Sequence, residues 1–244
     1  MSIPEPARVG FGAGADAYQR SRPSYPAEAV SYIVSRMPAD ATVLDLAAGT
    51  GIFTALLAGH VGRLVAVEPV EAMRAKIEGA HEVLDGTAES IPLPDASVDA
   101  VTVAQAFHWF RFDEALSEIA RVLRPGGLLA MVWNRRDESV PWVHRMSEVI
   151  EWRAHQISSY DRTDWPAVIG GSGRFGGVEH QSFPWAHMID RAGLADRVRS
   201  VSYIAAMEAD RREALAAEVV ALAADFPEPF PLPYNTLVWC TTRS

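Results

Sequence analysis

The sequence predicts an α/β protein built on one mostly parallel sheet of seven strands, with helices on both faces. Between residues 40 and 135, short apolar runs alternate with segments of helical spacing, which is typical of βαβ units. These runs are rich in Val and Leu, as expected of strands that are covered on both faces. A last alternating segment follows a proline cluster closely, and such a short connection favours an antiparallel final strand.

The elements follow from hydrophobic period and from Gly and Pro positions. The predicted strands are residues 42–46, 63–67, 82–85, 98–103, 128–133, 178–185 and 234–241. The predicted helices are residues 26–37, 52–59, 70–78, 113–123, 142–155, 186–195 and 209–224. A helical cap is thereby inserted before the last strand.

Composition limits the classes of partner. With 244 residues, 49% of them apolar, the chain is long enough for one sizeable domain. Its net charge of −9 argues against a nucleic-acid partner. The amino terminus lacks the features of a signal peptide, and no apolar window approaches the roughly 18 residues of a membrane span. We therefore expect a cytoplasmic monomer or homodimer that acts on a small molecule and contacts no membrane.

Metal chemistry is not expected. Cys240 is the only cysteine, which excludes an internal disulfide and a Cys-based cluster, and the histidines show no metal-ligand spacing.

Residues 43–54 read Val-Leu-Asp-Leu-Ala-Ala-Gly-Thr-Gly-Ile-Phe-Thr, a buried strand that ends in a glycine-containing turn. A dinucleotide turn needs a third glycine where Thr54 stands, and no Gly-Lys-Ser/Thr of a P-loop follows. The turn therefore suits a nucleoside without a pyrophosphate, such as S-adenosylmethionine. Glu68, at the end of the second strand, is expected to accept hydrogen bonds from ribose hydroxyls, with a solvated loop acid as the alternative.

Four motifs in register carry a family resemblance. They are Leu-Asp-Leu-Ala-Ala-Gly-Thr-Gly at 44–51, Val-Ala-Val-Glu-Pro at 65–69 followed by Met73, Gly-Thr-Ala-Glu-Ser-Ile-Pro-Leu at 86–93, and Arg-Val-Leu-Arg-Pro-Gly-Gly at 121–127. With them, the sequence resembles the class I S-adenosylmethionine-dependent methyltransferases, and more narrowly the type 11 group that acts on small molecules. The resemblance implies a Rossmann-like fold. We expect one domain with a lid segment and helix at 1–38, a cofactor core at 39–137, acceptor-side insertions at 138–233 and a final strand at 234–244.

The resemblance assigns cofactor roles by position. Those facing the methionine end would be Asp45, Ala47, Gly49, Thr50, Gly51, Ala104 and Gln105; those around the ribose and adenine would be Glu68, Pro69, Met73, Ala88 and Glu89. Arg22 would bind the methionine carboxylate and Tyr18 would close over it, unless both belong to a surface arm. Ala47 replaces the first glycine of the family's turn, so we expect a negative φ there.

Acceptor-side roles are fewer. His108, just beyond the fourth strand, is the candidate general base, and a packed structural histidine is the alternative. Tyr25, Trp109 and Asn134 are the candidate acceptor contacts.

The expected reaction is methyl transfer from S-adenosylmethionine to a small organic acceptor by in-line displacement, with S-adenosylhomocysteine as product. A binding or regulatory protein that kept the cofactor pocket without turnover is one alternative. NAD-dependent oxidoreduction is another, although Thr54 disfavours it.

Overall fold

The computed structural model describes residues 22–151 and 163–244, whose strands form a single sheet. The strands are β1 (Thr42–Leu46), β2 (Arg63–Val67), β3 (Glu82–Leu84), β4 (Val98–Ala104), β5 (Leu123–Arg136), β6 (Glu179–Ile189) and β7 (Phe230–Thr242). The helices are α1 (Ala27–Val34), α2 (Ile52–Leu57), α3 (Glu71–Arg74), α4 (Phe112–Val122), α5 (Pro141–Val149), α6 (Trp165–Gly171), α7 (Arg191–Arg199), α8 (Ser202–Ala205) and α9 (Ala209–Ala221). A 3₁₀ turn spans Phe107–Trp109.

The sheet has the strand order β3-β2-β1-β4-β5-β7-β6. All pairs from β3 to β5 are parallel, whereas β7 runs antiparallel to both β5 and β6. The predicted Rossmann-like, mostly parallel sheet with an antiparallel last strand is confirmed, and α7 to α9 supply the cap before that strand. Because the strand order reverses between β1 and β4, a crevice forms at the carboxyl ends of these strands.

The predicted helix at residues 186–195 is wrong at its start. Residues 186–189 continue β6, which stays paired with β7 as far as Ile189 opposite Phe230. Asp190 then caps α7, since its carboxylate accepts the N–H of Gly193 at 2.7 Å. The helix consequently begins at Arg191.

Part of the proline cluster lies inside β7, not before it. Pro231 and Pro233 pair with β6, but β5 joins β7 only from Tyr234 onward. The prolines thus occupy a stretch with a neighbour on one side, where a missing N–H is tolerated.

Apolar side chains cover both faces of the sheet. In β1, Val43 packs with α1 and α2 on one face, while Leu44 and Leu46 pack with α4 and α6 on the other. A third apolar cluster joins α5 and the cap helices to the start of β7, with Phe230, Leu232 and Tyr234 among its members. The cap is therefore packed against the first residues of β7.

Two negative findings concern the described residues. No helix within 22–151 or 163–244 is both long and apolar enough to cross a membrane. In the same ranges, no three His, Cys, Asp or Glu side chains are grouped so that they could hold a metal ion. Tyr18, most of the predicted lid segment and the end of the helix predicted at 142–155 lie outside the described residues.

Candidate active site

A cavity opens at the carboxyl ends of the central strands and extends toward β7 and α7. Nineteen of the described residues line it. They are Arg22, Pro23, Tyr25, Ala47, Ala48, Gly49, Thr50, Ile52, Phe53, Glu68, Val70, Met73, Ala104, Gln105, Ala106, Trp109, Asn134, Arg197 and Tyr234. The cavity therefore spans the crevice that the strand order predicts for ligands in open α/β sheets.

The turn between β1 and α2 has an unusual backbone. Ala47, Gly49 and Gly51 all have positive φ, at 56°, 60° and 83°. The expectation of a negative φ at Ala47 is wrong: the small methyl group admits the left-handed region at a cost of about 1–2 kcal/mol. Gln105, in the turn after β4, also has a positive φ of 58°. Two strained non-glycine residues thus line the same cavity, as is common at functional sites.

Gly51 differs from the other turn residues because its side of the turn faces protein. A Cβ atom at this position would lie 3.1 Å from Cα of Ile77. Gly51 is the N-terminal cap residue of α2. Its lack of a side chain allows this close approach, and Gly51 does not line the cavity.

Asp45 lies beneath the turn and is fully buried. Its carboxylate accepts the hydroxyl of Thr54 at 2.6 Å and that of Thr102 at 2.9 Å. Burial raises the pKa of Asp45 from 3.8 to about 6, although both hydroxyl bonds act in the opposite direction. Asp45 therefore joins β1, α2 and β4 below the cavity and does not line it.

Glu68 holds the turn from the side. One carboxylate oxygen accepts the N–H of Gly49 and the other that of Val70, both at 2.9 Å. Burial raises the pKa of Glu68, and the two backbone bonds counteract this shift. A carboxylate has about four acceptor positions, so two remain for a ligand. The alternative of a solvated loop acid does not fit, because only 4% of Glu68 is exposed.

Asn134 fastens the chain before α1 to the sheet. Its side-chain N–H donates to the carbonyl of Ser24 at 2.7 Å, and its amide oxygen accepts the hydroxyl of Thr236 at 2.5 Å. The backbone carbonyl of Asn134 also accepts the side-chain N–H of Gln105 at 3.2 Å. Its side chain is thus committed on both sides to protein groups, although it lines the cavity.

Arg22 and Tyr25, in the segment before α1, form part of the cavity wall. The Tyr25 ring meets Phe53 edge to face, with centroids 5.0 Å apart. Arg22 donates to the carbonyl of Ser200, after α7, at 3.3 Å. This segment therefore connects α2 to the cap.

His108 is held within an aromatic cluster. Its Nδ1 accepts the indole N–H of Trp133 at 3.3 Å, and its ring lies 5.0 Å from that of Trp109. Burial lowers the pKa of His108 to about 4, so the ring is neutral at pH 7. A neutral imidazole has one nitrogen lone pair to offer, and here Trp133 uses it. This geometry, outside the cavity lining, favours the packed-histidine alternative over the general base.

Comparison with known proteins agrees with this architecture. Residues 44–131 match a family model described as a methyltransferase domain. An uncharacterized methyltransferase of Mycobacterium tuberculosis is 39% identical over 239 residues, which cover 94% of this chain and 93% of the relative. The chain belongs to the class I methyltransferase family.

Two solved structures resemble this methyltransferase. A protein of Anaeromyxobacter dehalogenans, described as a candidate type II methyltransferase, shares 27% identity with a TM-score of 0.58 over 91% of this chain and 96% of that one. Phosphoethanolamine N-methyltransferase 2 of Haemonchus contortus, solved with S-adenosylhomocysteine, has the same fold at 16% identity, with a TM-score of 0.57 over 95% and 57% of the two chains. Family membership removes NAD-dependent oxidoreduction from the alternatives.

The methyltransferase brings most of the predicted site residues to one cavity. Eleven of them line it: Arg22, Tyr25, Ala47, Gly49, Thr50, Glu68, Met73, Ala104, Gln105, Trp109 and Asn134. Six others are described but do not line it: Asp45, Gly51, Pro69, Ala88, Glu89 and His108. Ala88 is buried in the sheet core, and Glu89 accepts the backbone N–H of Arg111 at 2.9 Å. The ligand roles of all these residues stay predictions.

Eight lining residues were not predicted. Pro23, Ala48, Ile52, Phe53, Val70 and Ala106 are neighbours of predicted residues, whereas Arg197 and Tyr234 come from distant segments. One signal for Arg197 was available in the sequence. Leu194 and Val198 are buried on α7, and Arg197 lies beside them at a helical position where an apolar residue is expected.

Proposed function

We propose that this methyltransferase transfers the methyl group of S-adenosylmethionine to a small organic acceptor by in-line displacement, releasing S-adenosylhomocysteine. The observation that carries the proposal is the single cavity shared by the turn after β1, the Glu68 carboxylate and the residues that follow β4. A nucleoside with an amino-acid end has both polar ends that such a cavity can recognise.

The cofactor end of the cavity fits this donor chemically. The Thr50 hydroxyl is buried and has no hydrogen-bond partner among the described residues. A buried polar group of this kind usually acquires a partner from a ligand or a water. Glu68 retains acceptor capacity for ribose hydroxyls, and Met73 and Val70 offer apolar surface for a base. We assign Gln105 and the turn residues to the methionine end.

When bound, S-adenosylmethionine supplies an activated methyl group, so the protein's part is alignment and exclusion of water. Trp109 and Tyr25 form apolar walls that would keep an acceptor in place. The segment held by Asn134 would limit the entry of water from one side. These residues orient the reactants and need not move a proton.

Calorimetric titration tests the proposal, with Glu68→Gln as the informative variant. We expect wild-type protein to bind both S-adenosylmethionine and S-adenosylhomocysteine. Glu68→Gln places a side-chain NH₂ against a backbone N–H, which disturbs the turn and removes the charge. We expect it to weaken S-adenosylhomocysteine binding by about tenfold or more, the equivalent of ~1.4 kcal/mol.

The matched control is Glu71→Gln, an exposed position in the first turn of α3. It removes the same charge close by and should leave affinity unchanged. The absence of binding heat and of a thermal shift with both ligands would contradict the proposal. Binding of both ligands without methyl transfer to any acceptor of a broad panel would favour the alternative, a protein that kept the cofactor pocket without turnover.

A further inference from the structure

The far end of the cavity contains a buried cation, and two of its nitrogens lack a hydrogen-bond partner among the described residues. Arg197 is 6% exposed and lines the cavity. Its Nε and Nη1 atoms have no hydrogen-bond partner within residues 22–151 and 163–244. Burying guanidinium N–H groups without acceptors is costly, so these two nitrogens call for acceptors that residues 22–151 and 163–244 do not supply, as an anionic ligand would.

Tyr234 provides a second unpartnered group on the same wall. Its hydroxyl is buried and has no hydrogen-bond partner in the described part of the chain, and its ring stacks on Trp185 with centroids 5.7 Å apart. Tyr234 lies opposite Arg136 at the end of β5. A hydroxyl donor and a guanidinium therefore line the same cavity end.

Arg136 increases the positive charge of this end. Burial lowers the pKa of Arg136 to about 10; Tyr234 acts in the opposite direction, and the nearby charge of Arg197 acts in the same direction as burial. Its guanidinium donates to the hydroxyl of Ser147 at 3.4 Å. Two neighbouring cations repel each other, and an anion bound beside Arg197 would relieve that repulsion.

Strand order separates this end from the cofactor end. Glu68 follows β2, and Tyr234 belongs to β7, four strand positions away in the order β2-β1-β4-β5-β7. At about 4.8 Å for each step, the two ends lie roughly 19 Å apart along the sheet. The turn after β1, where we assign the methionine end, is close to the first of them.

We propose that Arg197 and Tyr234 form a subsite for a carboxylate of the methyl acceptor, so that the acceptor is a small carboxylic acid. The inference rests on the proposed function, since it assumes that the cofactor fills the end near Glu68. A guanidinium and a hydroxyl donor together match the acceptor oxygens of a carboxylate.

Calorimetry with defined probes tests the subsite. Succinate, glutarate, benzoate and phenylacetate, each beside its amide, are titrated into protein saturated with S-adenosylhomocysteine. We expect acids to bind and amides not to bind. Arg197→Gln should weaken acid binding by about tenfold or more, Tyr234→Phe by about threefold, and Arg197→Lys should recover part of the loss.

Arg211→Gln is the matched control, because it removes the same charge from an exposed position of α9. It should leave acid binding unchanged, and thermal unfolding checks that all variants fold. S-adenosylhomocysteine affinity should also stay unchanged in Arg197→Gln.

Four results would overturn the subsite. The first is equal binding of acids and amides, and the second is that wild-type protein binds no acid. The third is that wild-type protein binds inorganic phosphate but none of the acids. The fourth is an Arg197→Gln variant that no longer binds S-adenosylhomocysteine but still binds the acids. The last result would assign Arg197 to the methionine carboxylate. Failure of wild-type protein to bind S-adenosylhomocysteine, with acid binding retained, would contradict the proposed function and leave the subsite standing.

Discussion

The contacts of His108 favour a structural role over the predicted catalytic one. It follows β4 at the edge of the sheet where ligands bind, yet its Nδ1 accepts the indole N–H of Trp133. Its low pKa of about 4 keeps the ring neutral throughout the neutral pH range. A neutral ring whose lone pair is engaged supports the packing of the aromatic cluster.

Two substitutions separate packing from catalysis at this residue. His108→Gln retains an oxygen that can accept the indole N–H, whereas His108→Leu does not. We expect His108→Leu to lower the free energy of unfolding by about 1–3 kcal/mol and His108→Gln to lower it less. Urea unfolding measures the difference. Equal stability of the two variants, together with loss of methyl transfer in both, would return His108 to the role of general base.

At the scale of elements, the turn between β1 and α2 is supported from two directions. Asp45 and Thr54 bond beneath it, and Glu68 accepts the N–H of Gly49 at its side. These bonds keep Ala47 at a φ of 56°, which most residues avoid. The turn is thus fixed in shape before any ligand arrives.

Ala47→Val tests whether this backbone shape matters. A β-branched residue is a genuine outlier at positive φ, so the turn must shift. We expect S-adenosylhomocysteine binding to weaken by about tenfold and the free energy of unfolding to fall by about 1–2 kcal/mol. Ala55→Val, on the exposed side of α2, makes the same chemical change and should leave binding intact. Unchanged binding in Ala47→Val would show that the turn tolerates another conformation.

Local patterns predicted the elements whose signals are local. β1 and β2 begin and end where the apolar runs do, because both strands are buried on both faces. The end of β6 was missed because its pairing with distant β7 outweighs the helical spacing of residues 186–189. For the same reason the sequence indicated the turn and Glu68 but not Arg197 and Tyr234. Their place in the cavity depends on how the cap packs, which no short motif records.

At the scale of the whole molecule, the buried Asp45 links stability to pH. Its folded-state pKa of about 6 exceeds its ordinary value of 3.8. The folded protein therefore binds more protons than the unfolded chain between these values, and this group's contribution to stability falls as pH rises from about 4 to about 6. Above that range, the full cost of an ionised buried carboxylate is present.

Asp45→Asn removes this dependence. We expect the variant to differ little from wild type near pH 4 and to become relatively more stable by up to roughly 3 kcal/mol at pH 7. Urea unfolding of both proteins across this range gives the difference directly. Asp40→Asn, at an exposed position before β1, is the control. A difference between Asp45→Asn and wild type that stays constant with pH would contradict the assignment.

The two ends of the cavity come from different parts of the chain. Residues 44–131, which match the family model, contain the turn and Glu68, whereas Arg197 and Tyr234 lie well beyond them. Substitutions on α7 or β7 can therefore change one end while the residues that shape the other stay intact. In the arrangement we propose, evolution can redirect the enzyme to new compounds without rebuilding the donor end, and an engineer can follow the same route.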